Sequence, residues 1–283
     1  MFFVKMKVNF ANFAKDENFN RTSDMAFGFE NKARIHFKRN FLRSVTFAFR
    51  YDAIDLKPFE TTIKERLFGF FPRFTQGKDL SYTINFNANQ TPIVRSESGN
   101  GYVLISANGL SNIHLNNASL VLTFLGNNYS RFEDILPIIE VIYSLLAEIG
   151  VKELRACSER KLNIANFQSQ APDVTTILKD LISPSFINDA CAFPNIGNLS
   201  QALYSFVLRD QDYNLNLNYG IPQFDNSKRP LAGSVVIDID LGSTKTISIN
   251  QMVDYCKALN DEVFNVFFGI TSDNLKQNLL GYE

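Results

Sequence analysis

Tryptophan is missing from this sequence, histidine occurs twice and cysteine three times among 283 residues. Each scarcity removes a class of chemistry. His36 and His114 both fall in segments that read as strands, which leaves little material for general acid–base work near neutral pH. Cys157, Cys191 and Cys256 are far apart and lack metal-ligand spacing, which fits free thiols in a reducing compartment. Cys157 and Cys256 sit in apolar patterns and read as small core residues rather than nucleophiles. No run approaches the length of an apolar membrane span, and Lys5 and Lys7 interrupt the first apolar residues too early for a secretory signal. The expectation is a cytoplasmic protein without membrane attachment. There is no G-x-S-x-G elbow, no G-x-x-x-x-G-K-[ST] phosphate loop and no H-E-x-x-H; Gly99-Asn100-Gly101 reads only as a turn. No cofactor is expected.

What remains is an ordinary globular composition, 45% hydrophobic and 20% charged, with 27 phenylalanines as the main large core fillers. Charge is unevenly spread. Residues 1–80 hold 15 of the 28 Lys and Arg but 9 of the 29 Asp and Glu, and the remainder of the chain is correspondingly acidic, so the two parts attract each other or the first forms a basic face.

The helix over 131–149 dominates the pattern. Phe132, Ile135, Leu136, Ile139, Ile142, Leu145, Leu146 and Ile149 recur at three- and four-residue steps, Ser130 and Glu133 have capping-box spacing, and Gly150 follows the end. Pro137 requires either a start at Asp134 or a kink. A second helix, 249–268, carries Ile249, Met252, Val253, Cys256, Leu259, Val263, Val266 and Phe267 as its apolar stripe. Ser248 and Gln251 offer a cap, and Asn260 is placed toward the polar side, where its loss costs little. A shorter helix spans 59–71 with Phe70 on its apolar side, and another spans 174–182.

Strands are expected at 2–10, 33–38, 42–51, 80–87, 102–107, 112–116, 119–125, 151–164, 202–208, 213–219 and 234–241, with a polar loop at 15–24 and a turn-rich surface segment at 90–101. The order β-β-β-α occurs twice, before each long helix. The fold class read from this is α+β, with two pseudo-repeated lobes of antiparallel strands each followed by a long helix. The lobes would be 1–167 and 168–283, joined by a breaker-rich stretch containing Pro172, Pro184 and Pro194.

Four stretches carry a family resemblance: F-L-R-S-V-T-F-A-F-R-Y at 41–51; Y-V-L-I-S-A-N-G-L-S-N-I-H-L at 102–115 with Tyr129 and Phe132; V-K-E-L-R-A-C-S-E-R-K-L-N-I at 151–164; and I-D-I-D at 237–240 with L-N-D-E-V-F-N-V-F-F-G-I-T at 259–271. In order and spacing they resemble a sporadically distributed family of uncharacterised bacterial proteins of about this size. The resemblance implies a fold and brings no activity. This chain departs from it at Cys157, Ser158, Glu159, Arg160 and Lys161, where an Arg-Tyr-x-Asn-Arg run is typical, and at Asn260, where histidine is common.

Two groups stand out as candidate sites. Lys5, Lys7, Arg34, His36 and Lys38, with Arg43 and Arg50 from a neighbouring strand, would form a basic strand face able to contact phosphates of nucleic acid or another anion. Asp238 and Asp240, two apart on a strand, point to one side, the spacing a hard divalent metal ion accepts. With so little catalytic chemistry, the favoured function is a non-enzymatic interaction protein that engages a partner protein or itself as a homo-oligomer. The alternatives are nucleic-acid or anion binding through the basic face, and an enzyme with an unrecognised carboxylate site around Asp238.

Overall fold

The computed structural model describes residues 26–35, 37–39, 41–83, 93–171, 173–187, 201–210, 212–224 and 230–281. The expected strand at 2–10 with Lys5 and Lys7, the loop at 15–24, His36, Pro172, Cys191 and Pro194 lie outside those residues.

The chain is α+β and is organised on one large antiparallel sheet. β1 (Leu42–Tyr51) is followed by α1 (Glu60–Leu67), then the meander β2 (Arg73–Thr83), β3 (Ile93–Ile105), β4 (Ser111–Asn116) and β5 (Ser119–Leu125). Helix α2 (Phe132–Glu148) leads into the long β6 (Glu153–Ser169) and the short α3 (Val174–Leu181). A second meander, β7 (Ala202–Arg209), β8 (Tyr213–Ile221) and β9 (Leu231–Ser243), ends in the short β10 (Ile247–Ser248) and helix α4 (Met252–Ile270). Across the sheet the order is β2-β3-β4-β5-β1-β6-β9-β8-β7, with β10 beside β6. The strands that precede α2 and those that precede α4 share this one sheet, and β6, which spans residue 167, pairs with β1 on one side and β9 on the other.

Strand alternation decides what each side of the sheet does. In β1, Val45, Phe47 and Phe49 are buried while Ser44, Thr46 and Ala48 between them are half-buried. The pairing carries that division outward, so Leu120, Leu122, Ile113 and Leu115 continue the apolar face on one side and Ile237, Ile239, Leu241, Leu215 and Leu217 on the other. Helices α2 and α4 cover this face. The Phe132 ring lies 6.2 Å from Phe47 and the Tyr129 ring 6.1 Å from Phe124, and α4 lies along β6 and β9. Burying a side chain such as Phe47 contributes roughly 1.5–3 kcal/mol.

The opposite face is polar. One register row crosses all nine long strands: Arg73, Ile105, Asn112, Thr123, Thr46, Arg160, Asp240, Asn216 and Val207.

Several local expectations need correction. The described residues of 33–38 form no strand but an irregular strap held by 280–281, with Lys38 N donating to Gly281 O and Arg39 N to Leu280 O. Those main-chain bonds, together with side-chain contacts to α4, replace the expected sheet ladder. The expected turn-rich segment 90–101 is from Ile93 onward part of β3, because Gly101 and its neighbours find partners in β2 and β4. Helix α2 starts at Phe132, and Ser130 bonds Asp134 instead of capping. Pro137 therefore sits past the first turn and forfeits the bond an amide there would make to Glu133 O. Ser248 also makes no capping bond, and a 3-10 turn, Ile249–Gln251, precedes α4. Phe70 is exposed, whereas Ile63, Leu67 and Phe71 are buried. Asp173 does cap α3, its carboxylate accepting from Thr176 N at 2.9 Å.

Candidate functional site

The basic residues are dispersed. Arg34 turns from the strap onto α4, where its Nε and Nη2 donate to Asp261 Oδ1 at 3.1 and 2.9 Å and its guanidinium lies 4.6 Å from the centre of the Phe264 ring. Lys38 sits in the strap beside Gly281. Arg43 and Arg50 are exposed and stand seven residues apart on β1, roughly 23 Å along it.

Asp238 and Asp240 do share the polar face. Asp238 is 2% exposed and engaged by both arms of one guanidinium: Arg160 Nε donates to Oδ1 at 2.8 Å and Nη2 to Oδ2 at 2.7 Å. Asp240 accepts a long bond from Asn216 Nδ2, at 3.5 Å, and burial pushes its carboxyl up despite the nearby Arg160. Among the described residues no group of three or more His, Cys, Asp or Glu is placed to share a metal ion. His114 is half-buried on the same face, between Val103 and Val121 on the flanking strands, and burial holds its imidazole below the usual value.

A polar cluster lies on the helix-covered side. Cys157, Glu159 and Lys161 alternate on β6, so all three project toward α4. Asn260 on α4 is 3% exposed, and its Oδ1 accepts from Tyr129 Oη at 3.0 Å and Lys161 Nζ at 2.6 Å. Lys161 Nζ also lies 3.2 Å from Oε1 of the fully buried Glu159, without hydrogen-bond geometry, and 5.4 Å from the Tyr129 ring centre. Burial pushes the Glu159 carboxyl up and the Lys161 ammonium down. Cys157 and Cys256 are buried beside this cluster; the neighbouring Cys157 thiol, with burial, raises Cys256 away from the thiolate. The cluster joins the sheet to α4. The strap is tied to the same helix, where Lys32 N donates to Asn265 Oδ1 at 3.1 Å.

Sequence reasoning placed Asn260 on the polar side of its helix, and the structure overturns that. One signal was present: Asn260 follows Cys256 by four residues, which puts it on the buried stripe.

The remaining feature is an edge. Among the described residues β7 pairs only with β8, without a register shift. Asp210 N donates to Tyr213 O at 2.9 Å in that same register, so the alternation of an antiparallel ladder directs residues 202, 204, 206 and 208 to β8. The N–H and C=O groups of Leu203, Ser205, Val207 and Arg209 point away from the sheet. Val207 is 60% exposed. Gly220, at φ 133°, lets the two strands approach where β7 begins and β8 ends, since a Cβ there would lie 2.0 Å from Ala202 O. The opposite edge among the described residues, β2, differs: it carries Arg73 and its register shifts between Gly77 and Asp79, both devices that deter strand addition. β7 has no proline, glycine or lysine, and its single charge is the terminal Arg209. Among the described residues no helix is long and apolar enough to cross a membrane. No protein-family model and no curated protein matches the sequence.

Proposed function

We propose that this is a non-enzymatic interaction protein that binds by adding a strand along the outer edge of β7. The observation that carries the reading is the outward set of main-chain groups on Leu203, Ser205, Val207 and Arg209, on a strand without the usual protective devices. In such recognition the main-chain bonds supply affinity and alternate side chains supply selectivity. Here Tyr204, Phe206 and Leu208 would meet the partner on the helix side of the sheet, with Ser205 and Val207 on the polar side. The two β-β-β-α runs are then read as related halves, one closed at β2 and the other open at β7. Free, buried Cys157 and Cys256 fit a reducing, cytoplasmic setting.

The test uses the ladder itself. Val207→Pro deletes an amide that points outward and leaves every bond to β8 in place, so the fold should survive while partner binding is lost. Binding that persists in a folded Val207→Pro protein contradicts the proposal.

A further inference from the structure

Resting on the strand-addition reading, we infer that the occupant of the β7 edge is a second copy of this chain, paired antiparallel about a two-fold axis at Phe206. The register follows from the outward groups. An axis at Phe206 sets Leu203 opposite the second copy's Arg209 and Ser205 opposite its Val207, so all four outward residues find partners and make about eight main-chain hydrogen bonds. An axis one residue to either side leaves one of the four unpaired.

Side chains agree with this register. Phe206 meets its own copy and Tyr204 meets Leu208, all on the helix side, where Tyr204 and Phe206 already stack on Tyr219 at 5.2 and 6.0 Å. Phe206 and Leu208 are only half-buried, so the second copy covers them beside Tyr219. The two Arg209 side chains fall at opposite ends of the seam and do not oppose each other. A strand whose only charge is terminal offers nothing to select a charged peptide, whereas it complements itself. The pairing is isologous, uses up both β7 edges and stops at a dimer. An eight-residue seam is small beside standard interfaces, so association should be in the micromolar range or weaker.

Sedimentation of the full chain over a concentration series, with two variants, tests this. Wild type should pass from monomer to dimer, and Val207→Pro should stay monomeric with an unchanged circular-dichroism spectrum; Val207→Lys gives the same readout if the proline variant does not fold. Facing Phe206 positions form a non-hydrogen-bonded pair with Cα atoms about 4.5 Å apart, within disulfide reach. In a Cys191→Ser background, Phe206→Cys should therefore cross-link into dimers under copper–phenanthroline at least tenfold faster than Leu203→Cys, which faces an arginine. A wild type that stays monomeric at all concentrations, with no preference for cross-linking at Phe206, overturns the self-pairing. Strand addition itself fails separately, if another partner binds folded Val207→Pro as well as wild type. A dimer that survives both Val207→Pro and Val207→Lys overturns the two together.

Discussion

Lys161 Nζ and Asn260 Oδ1 lie 2.6 Å apart across the gap between β6 and α4, and this bond fastens the last helix to the sheet. Tyr129 donates to the same oxygen, so Asn260→Leu strands two buried donors at once. We expect a loss of about 2–6 kcal/mol, since each unsatisfied buried group costs about 1–3 kcal/mol. Urea unfolding measures it, and a loss near zero would mean that water reaches the cluster.

Arg160 and Asp238 form the bidentate pair at the centre of the polar face. Breaking it from one side, by Arg160→Met, leaves a buried carboxylate and should cost about 3–5 kcal/mol, while Arg160→Met with Asp238→Leu should recover most of that. Thermal unfolding of the two single variants and the double variant gives the coupling.

Asp240 predicts a pH effect. Its carboxyl is raised by burial, so below the folded value the native state holds a proton that the unfolded chain, titrating near 3.9, has given up. Stability from this group is therefore greatest in acid and falls as pH climbs from about 4 through the raised value. Asp240→Asn should flatten that part of the profile, gaining on wild type at pH 7 relative to pH 4. Denaturant midpoints at the two pH values decide it.

Phe47 is fully buried against Phe132, and Phe47→Ala should cost about 3–5 kcal/mol. Phe267, which the helical pattern placed among the core residues of α4, is only half-buried against Phe37, so Phe267→Ala should cost less. Melting temperatures of the pair rank the two positions.

Periodicity revealed much of this molecule. The long helices and most strands follow from three- and two-residue repeats, because those elements bury one side of their own local pattern. Long-range partners were not legible. Residues 33–38 alternate like a strand, but Lys38 N and the following Arg39 N donate to Gly281 O and Leu280 O, more than 240 residues away. β3 was missed at Ile93–Asn100 because its glycines and serines resemble a turn until β2 is set beside them. Asp238 and Asp240 share one side of β9, but nothing local announces that Arg160 closes on one of them. The β7 edge was also invisible: a strand's sequence does not say whether it has one neighbour or two.

The central claim is that β7 accepts a strand, and main-chain amide exchange tests it residue by residue. In dilute protein, the amides of Leu203, Ser205, Val207 and Arg209 should exchange quickly while those of Tyr204, Phe206 and Leu208 are protected by β8. As concentration rises through the dimerisation range, the first set should become protected together and the second should change little. Dimerisation that leaves Leu203, Ser205, Val207 and Arg209 exchanging as fast as before would contradict the account.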